Sequence, residues 1–261
     1  MRAILLCAGF GTRLQPLTER TPKALVPVAG RSLVDYLMEQ IIRWAPVQAI
    51  HVVHNARRPG AFADWAMRWR SRGAERGCTI TLNDNGVEID DERRGAVGDL
   101  RWVIDRVGAD APAVVSGGDS IYRIDLSPVV QQFHRTGRST VLALRQSDPE
   151  AVAHSSVLDL DGQRVRGVRE AGEGTAPAWI SPSFYVLDAS ALAHVGHYLD
   201  RGGASDSLGR FIHDSAQHQP LDACRIEGTD DRAARFHINT PEQHRAANIA
   251  LAEGPVVPGD G

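Results

Sequence analysis

Lysine is almost missing from this chain: 261 residues contain one, Lys23, against 28 arginines. A basic excess is missing too. The formal net charge is −3, which leaves no electrostatic footprint for nucleic acid or for an anionic membrane surface. A small anionic ligand stays open, because it needs only a local cluster of donors. Cysteine is sparse and scattered. Cys7, Cys78 and Cys224 are odd in number and form no C-x-x-C pair, which argues against a disulfide framework or a zinc site built on cysteine. Long apolar runs are also lacking. The longest apolar stretch, 3–10, falls well short of the roughly 20 residues that span a bilayer, and no A-x-A cleavage site follows before Arg13. A cytoplasmic protein without membrane or nucleic-acid partners is therefore expected.

What the chain has in quantity is apolar surface, 43% of its residues, enough to bury a sizeable core at this length. RAILLC (2–7) reads as a buried strand running into a glycine loop. Ser32 reads as the cap of a helix through SLVDYLMEQIIRW, and QAIHVVHN (48–55) as a second strand. Pro59 opens a helix to about Arg72, with Gly73 as its stop, and CTITLN (78–83) is a third strand. A helix over 96–107 and one buried strand over 111–122 follow. Strands alternating with helices at this spacing predict an α/β fold with a doubly wound, mostly parallel, Rossmann-like sheet. Beyond residue 139 the pattern turns β-rich. Strands are expected in 139–146, 155–160 and 163–170, with a hairpin at Asp161-Gly162, and in 178–188. Helices are expected near 189–200 and 206–217, and a last one with Thr240 as cap and Pro241 in its first turn. The reading is one domain over 1–253, with a nucleotide-binding half (1–138) and an acceptor half (139–253), and a loose tail at 254–261.

GFGTRL fits neither familiar phosphate loop. The dinucleotide fingerprint would need a third glycine and an acid after the next strand, where His54-Asn55 stands. A Walker loop would place Lys23 beside Gly11 rather than twelve residues beyond it. The whole stretch LCAGFGTRLQPLTERTPKALVPVAGRSLVDY instead resembles the signature of nucleoside-diphosphate-sugar pyrophosphorylases, the sugar-1-phosphate nucleotidyltransferases: L-A-G-G-x-G-T-R-L-x-P-L-T, then P-K-x-L-x-P-V, then a helix. Cys7-Ala8 replaces the first Ala-Gly. The resemblance implies that Ala8, Gly9, Gly11 and Thr12 line the triphosphate, that Arg13 holds the departing pyrophosphate, and that Lys23 serves the α-phosphate. The residue types suit those roles. Glycines let backbone N–H groups approach phosphate, Arg offers a planar fork, and Lys is a compact charge on a flexible stem. Such a position needs an ammonium, which explains why the single lysine stands here.

The likeness extends along most of the chain. NDNGVEIDDERRGAVGDLRWVID is similar to the base-pocket segment of glucose-1-phosphate thymidylyltransferase-like proteins, which implies Asn83, Asn85 and Gly95 as nucleotide contacts. VVSGGDSIY resembles V-x-x-G-D-N-x-F, which implies Asp119 as a catalytic carboxylate and ligand of Mg²⁺, a hard cation that prefers such oxygens. Where the family carries E-E-K-P for the sugar phosphate, this chain keeps Glu170 but has Ala171-Gly172 for Lys-Pro. Arg169 or Arg166 could substitute, although strand alternation aims Arg169 away from Glu170. The family's second metal aspartate lies in W-x-D-I-G-T-P-E; here RFHINTPE puts His237 there and Asn239 just before Thr-Pro. Asn239 is expected as the second ligand, since an amide oxygen is hard and imidazole suits Mg²⁺ poorly. His134, His194, His197, His213 and His218 show no ligand spacing and are expected on helix faces.

The resemblance thus implies a Mg²⁺-dependent enzyme joining a nucleoside triphosphate to a sugar-1-phosphate or a sugar-like cyclitol phosphate, with release of pyrophosphate. The missing acceptor lysine leans toward a modified sugar or cyclitol of secondary metabolism, and a homo-oligomer is compatible with it. The rival reading is a non-catalytic, sugar-nucleotide-binding regulatory subunit of the same fold.

Overall fold

A computed structural model describes residues 1–44 and 46–252, except for the side chains of residues 230, 232 and 233. The expected tail, 254–261, lies outside the described residues. The chain divides into two compact units. One comprises Met1–Arg93, Gly117–Leu126 and the chain from Arg235 onward, and the other Arg94–Ser116 and Ser127–Ala234. No helix among the described residues is long and apolar enough to cross a membrane.

The first unit is built on a parallel ladder. Arg2–Leu6 pairs with Ala49–His54, which pairs with Thr79–Asp84. These are the apolar runs of the sequence, and Ala3, Ile4, Leu5, Ile50, Val52 and Val53 are almost fully buried. The crossover helices are Asp35–Ile41 and Pro59–Glu75. Asp35 joins them, because its Oδ1 accepts the indole N–H groups of Trp65 and Trp69 at 2.7 and 2.8 Å. Two expectations are corrected here. The first helix starts at Asp35 rather than after Ser32, which lies in the short strand Arg31–Ser32. Only the reverse half of a capping box forms, with Asp35 Oδ2 accepting the Ser32 N–H at 3.0 Å. Gly73 is not a stop but lies within the second helix. A Cβ there would sit 2.6 Å from the Cys78 carbonyl oxygen, so the glycine allows helix and strand to touch.

The second unit holds a mixed, β-rich sheet, as the second half of the sequence predicts. Phe184–Leu187 runs antiparallel to Ala113–Gly117 and to Ser139–Gln146. Ser139–Gln146 also pairs in parallel with Leu221–Asp230. Arg164–Arg169 lies beside that strand and forms the predicted hairpin with Val157–Asp161, turning through Gly162 at φ +61°. Helices Ala96–Val107, Ser127–Thr136, Ala189–Asp200 and Leu208–His218 belong to the unit, with the short helices Pro149–Ala153 and Asp231–Ala234.

The expected strand over 111–122 is two: Ala113–Gly117 and Ser120–Tyr122, broken at Gly118-Asp119. The expected strand over 178–188 is also two, Ala178–Ile180 and Phe184–Leu187, with Ser183 between them at φ +54°. Both breaks come where small polar residues interrupt an apolar run.

Candidate active site

Three segments far apart in sequence meet within the first unit. The loop after Arg2–Leu6 runs through Gly9 to Gly11, and single turns of 3-10 helix follow at Thr12–Leu14 and Lys23–Leu25. The second segment is Gly117–Tyr122. The third is the strand Arg235–His237, which pairs antiparallel with Ser120–Tyr122 and leads into the helix Pro241–Ala252. That helix opens on a full capping box: Gln243 N–H donates to Thr240 Oγ1 at 3.3 Å, and Gln243 Oε1 accepts the Thr240 N–H at 3.2 Å. Beneath the three segments lies one apolar cluster including Leu14, Val26, Leu33, Ile121, Ile238 and Leu251.

Lys23 stands where these segments converge. Its Nζ donates to Asp119 Oδ2 at 2.9 Å and to Asn239 Oδ1 at 2.5 Å. The side chains of Lys23 and Asp119 are 13% and 29% exposed, so the pair is shielded yet open on one side. The Ile238 N–H donates to the Asp119 carbonyl at 2.9 Å and locks the second and third segments together. Burial alone would raise the Asp119 pKa. The Lys23 ammonium outweighs it, helped by His237, the hydrogen bond from Lys23 and Arg235, and the net shift is well below the ordinary carboxylate value. The group is an anion at any physiological pH.

Two hard oxygens, one carboxylate and one amide, therefore face a single cationic atom. That donor set fits Mg²⁺. His237 sits behind it. Its Nε2 accepts from the Asn239 amide nitrogen, and its Nδ1 lies 3.2 Å from Ser120 Oγ. With the amide NH₂ turned to His237, the amide oxygen is presented to Lys23.

The glycine loop is shaped by its surroundings. Gly11 adopts φ +66°, and a Cβ there would lie 2.8 Å from Thr18 Cγ2 and 3.0 Å from Lys23 Cβ. Only glycine fits. Gly9 faces open space, and Thr12 and Arg13 are exposed. Ala8 is buried, and its carbonyl accepts from Asn55 Nδ2 at 2.9 Å. The buried Asn55 thereby anchors the loop. The only sign of that role in the sequence is a polar residue at a strand end. Cys7 lies against Gly118, where a Cβ would come 2.5 Å from its sulfur. Burial, then the Asp119 charge, pushes the Cys7 thiol far up despite Lys23, so it is a neutral packing group.

The remaining candidates fall elsewhere. Asn83 and Asn85, also in the first unit, are buried. Asn83 Nδ2 donates to the Thr81 carbonyl at 3.2 Å, and Asn85 Oδ1 accepts the Val87 N–H at 3.0 Å. Gly95 and Glu170 belong to the second unit. Gly95 precedes the helix Ala96–Val107, and a Cβ on it would meet the Ser205 carbonyl oxygen at 2.4 Å. Glu170 Oε2 accepts from Ser207 Oγ at 2.9 Å and lies 4.0 Å from Arg210 Nε. Neither arginine considered as a substitute is free. Arg169 is paired with Asp159 and Arg166 with Asp161.

The family model described as "Nucleotidyl transferase" matches residues 2–227. A UTP–glucose-1-phosphate uridylyltransferase of Haloferax volcanii is 25% identical over 259 residues, 97% of each chain. A glucose-1-phosphate thymidylyltransferase of an Actinoplanes species is 25% identical over 194 residues, 74% of this chain and 59% of that protein. The chain spans about half, 49%, of the length of a further relative from Sulfolobus acidocaldarius. Among solved structures, a UDP-glucose pyrophosphorylase complexed with UDP-glucose superposes with a TM-score of 0.75 over 97% of this chain and 98% of that one, at 16% identity.

Proposed function

The chain belongs to the nucleotidyl transferase family, and on that premise we propose that it joins a nucleoside triphosphate to a sugar-1-phosphate, or to a sugar-like cyclitol phosphate, with release of pyrophosphate. The observation that carries the proposal is the convergence of Lys23, Asp119 and Asn239 from three distant segments beside a glycine loop.

In this reading the acceptor phosphate oxygen attacks the α-phosphorus in line, the bond from it to the α–β bridging oxygen breaks with release of pyrophosphate, and the nucleoside-diphosphate sugar or cyclitol forms without a covalent enzyme intermediate. The residues position the reactants and neutralise charge. Gly9 and Gly11 offer backbone N–H groups to the triphosphate, and exposed Arg13 holds the leaving pyrophosphate. Lys23 exchanges part of its contact with Asp119 for the α-phosphate oxygens. Asp119 and Asn239 would hold Mg²⁺, which when bound neutralises phosphate charge as a Lewis acid. Asn83 and Asn85 are the first unit's candidates for the nucleoside, and Gly95 is the second unit's.

For the acceptor, Glu170 is the candidate partner of the hydroxyls. Arg210, beside Glu170, is the cation that stands in for the lysine absent at Ala171. A guanidinium does not reproduce a lysine's point-charge geometry, which favours a modified sugar or a cyclitol phosphate over a common hexose phosphate. The test is pyrophosphate release in Mg²⁺ with a panel of triphosphates against a library of sugar and cyclitol phosphates. Acceptor-dependent release with at least one pair supports the proposal. No release with any pair refutes it.

A further inference from the structure

The second unit carries a cluster that the proposed chemistry does not use. His194 lies on the helix Ala189–Asp200, and Asp214 and His218 lie one turn apart on the helix Leu208–His218. His194 Nε2 is 2.5 Å from Asp214 Oδ2, and His218 Nδ1 is 3.6 Å from the same oxygen. The two imidazole rings are 4.8 Å apart, centre to centre. One donor atom from each of the three residues lies within 4.8 Å of the others. The side chains are 14%, 26% and 45% exposed, so the cluster is walled on one side and open to solvent on the other.

We propose that His194, Asp214 and His218 form a transition-metal site of the zinc class, with water as the fourth ligand. Two imidazoles and one carboxylate are the donor set that late first-row divalent ions prefer and that Mg²⁺ does not. Zinc bonds of about 2.0–2.1 Å set tetrahedral ligands roughly 3.3 Å apart. His218 already stands near that separation from Asp214. His194 has to retreat from Asp214 by less than about 1 Å as the ion replaces the proton between them, by the same geometry. His218 Nδ1 also lies 2.8 Å from the Asp214 carbonyl oxygen. Binding through Nδ1, the atom that stands 3.6 Å from Oδ2, exchanges this contact for the ion. Arg201 Nη2 reaches Asp214 Oδ1 at 3.2 Å and Oδ2 at 3.1 Å; it retains Oδ1 when Oδ2 turns to the metal.

The site ties two helices together. The second of them is capped by Ser207, whose side chain also donates to Glu170. Since the ion binds the folded arrangement, it should stabilise the protein by mass action.

The experiment uses tag-free, chelator-stripped full-length protein titrated with Zn²⁺ by calorimetry and with Co²⁺ by visible absorption, with thermal melts of each state. One equivalent of zinc and an upward shift in Tm are expected. His218→Ala, at an exposed position, and His194→Ala should each weaken zinc binding at least about tenfold and remove the Tm shift. His197→Ala, a neighbouring histidine outside the cluster, should change neither. Absence of zinc binding by the native protein overturns the proposal. So does zinc bound with unchanged affinity by a folded His218→Ala variant, which would locate the ion elsewhere.

Discussion

Gly118→Ala perturbs the structure one residue before Asp119, and its effect can be worked out from local geometry. The added methyl would lie 2.5 Å from Cys7 Sγ and 3.3 Å from Ala24 Cβ. Ordinary contacts are about 3.5–4.0 Å, so one partner must move by about 1 Å. Cys7 is 4% exposed, so its sulfur cannot simply swing out into solvent. Gly118 is itself held to this segment, because its N–H donates to the Leu6 carbonyl at 3.2 Å. Overpacking of this kind costs about 1–3 kcal/mol, or some 2–4 °C in Tm per kcal/mol for a chain of this size. Turnover should fall further than stability, because Asp119 moves with residue 118 and a misplacement of about 1 Å at a reacting centre can cost a hundredfold. Cys7→Ala removes the obstructing sulfur, so the double variant should be more stable than the sum of the single effects predicts, with a coupling of about 1–2 kcal/mol. Thermal or urea melts of the four proteins, with pyrophosphate release from each, close the cycle. A strictly additive cycle, or a Gly118→Ala protein with native Tm and turnover, would refute the reasoning.

The Asp119 carboxyl titrates below its ordinary value of 3.8 when folded. Its pairing therefore contributes stability that is fully present above that value and is lost as pH falls through the lower folded pKa. Urea melts should show Asp119→Asn clearly less stable than the native chain at pH 7 and the gap narrowing below pH 3.8; a gap constant with pH contradicts the pairing. Asn239→Ala should cost more turnover at saturating Mg²⁺ than His237→Ala, and the reverse order would make the imidazole the functional group. Glucose-, mannose- and galactose-1-phosphate should be poor acceptors beside a cyclitol or modified-sugar phosphate, and Arg210→Ala should raise acceptor KM about tenfold or more, the usual size of one charge-assisted contact. Ordinary efficiency with glucose-1-phosphate contradicts the acceptor assignment.

The site was most legible where one short stretch carries several chemical demands at once. The glycine at position 11, the lone lysine and the aspartate after two glycines each stand where the phosphate chemistry implied by the family resemblance would need them, and the fold brings Lys23, Asp119 and Asn239 together. Helices Ala96–Val107 and Ala189–Asp200 were readable because their apolar periodicity is unbroken. The strand Leu221–Asp230 was not, since Asp222, Arg225 and Glu227 interrupt its pattern. Asp222 is nonetheless buried, with Arg138 Nη1 3.5 Å away. Gly73 reads as a helix stop, but its neighbour Cys78 explains it, as Cys7 explains Gly118, and such contacts exist only once strands and helices have packed. Arg210 and the pairing of His194 with Asp214 and His218 were invisible for the same reason. Glu170 and His194 come from elements other than the helix Leu208–His218, at sequence distances where spacing has no meaning; only the one-turn step from Asp214 to His218 lies within a single helix.

The central claim rests on an ammonium at position 23. Pyrophosphate release should be measured for the native chain, Lys23→Ala and Lys23→Arg, each checked for a native melting transition. Loss of one charge-stabilising group predicts at least a roughly hundredfold fall in turnover for Lys23→Ala, and Lys23→Arg should be little better, because a guanidinium cannot occupy the space between Asp119 and Asn239 as an ammonium does. Near-native turnover in either folded variant would contradict the account.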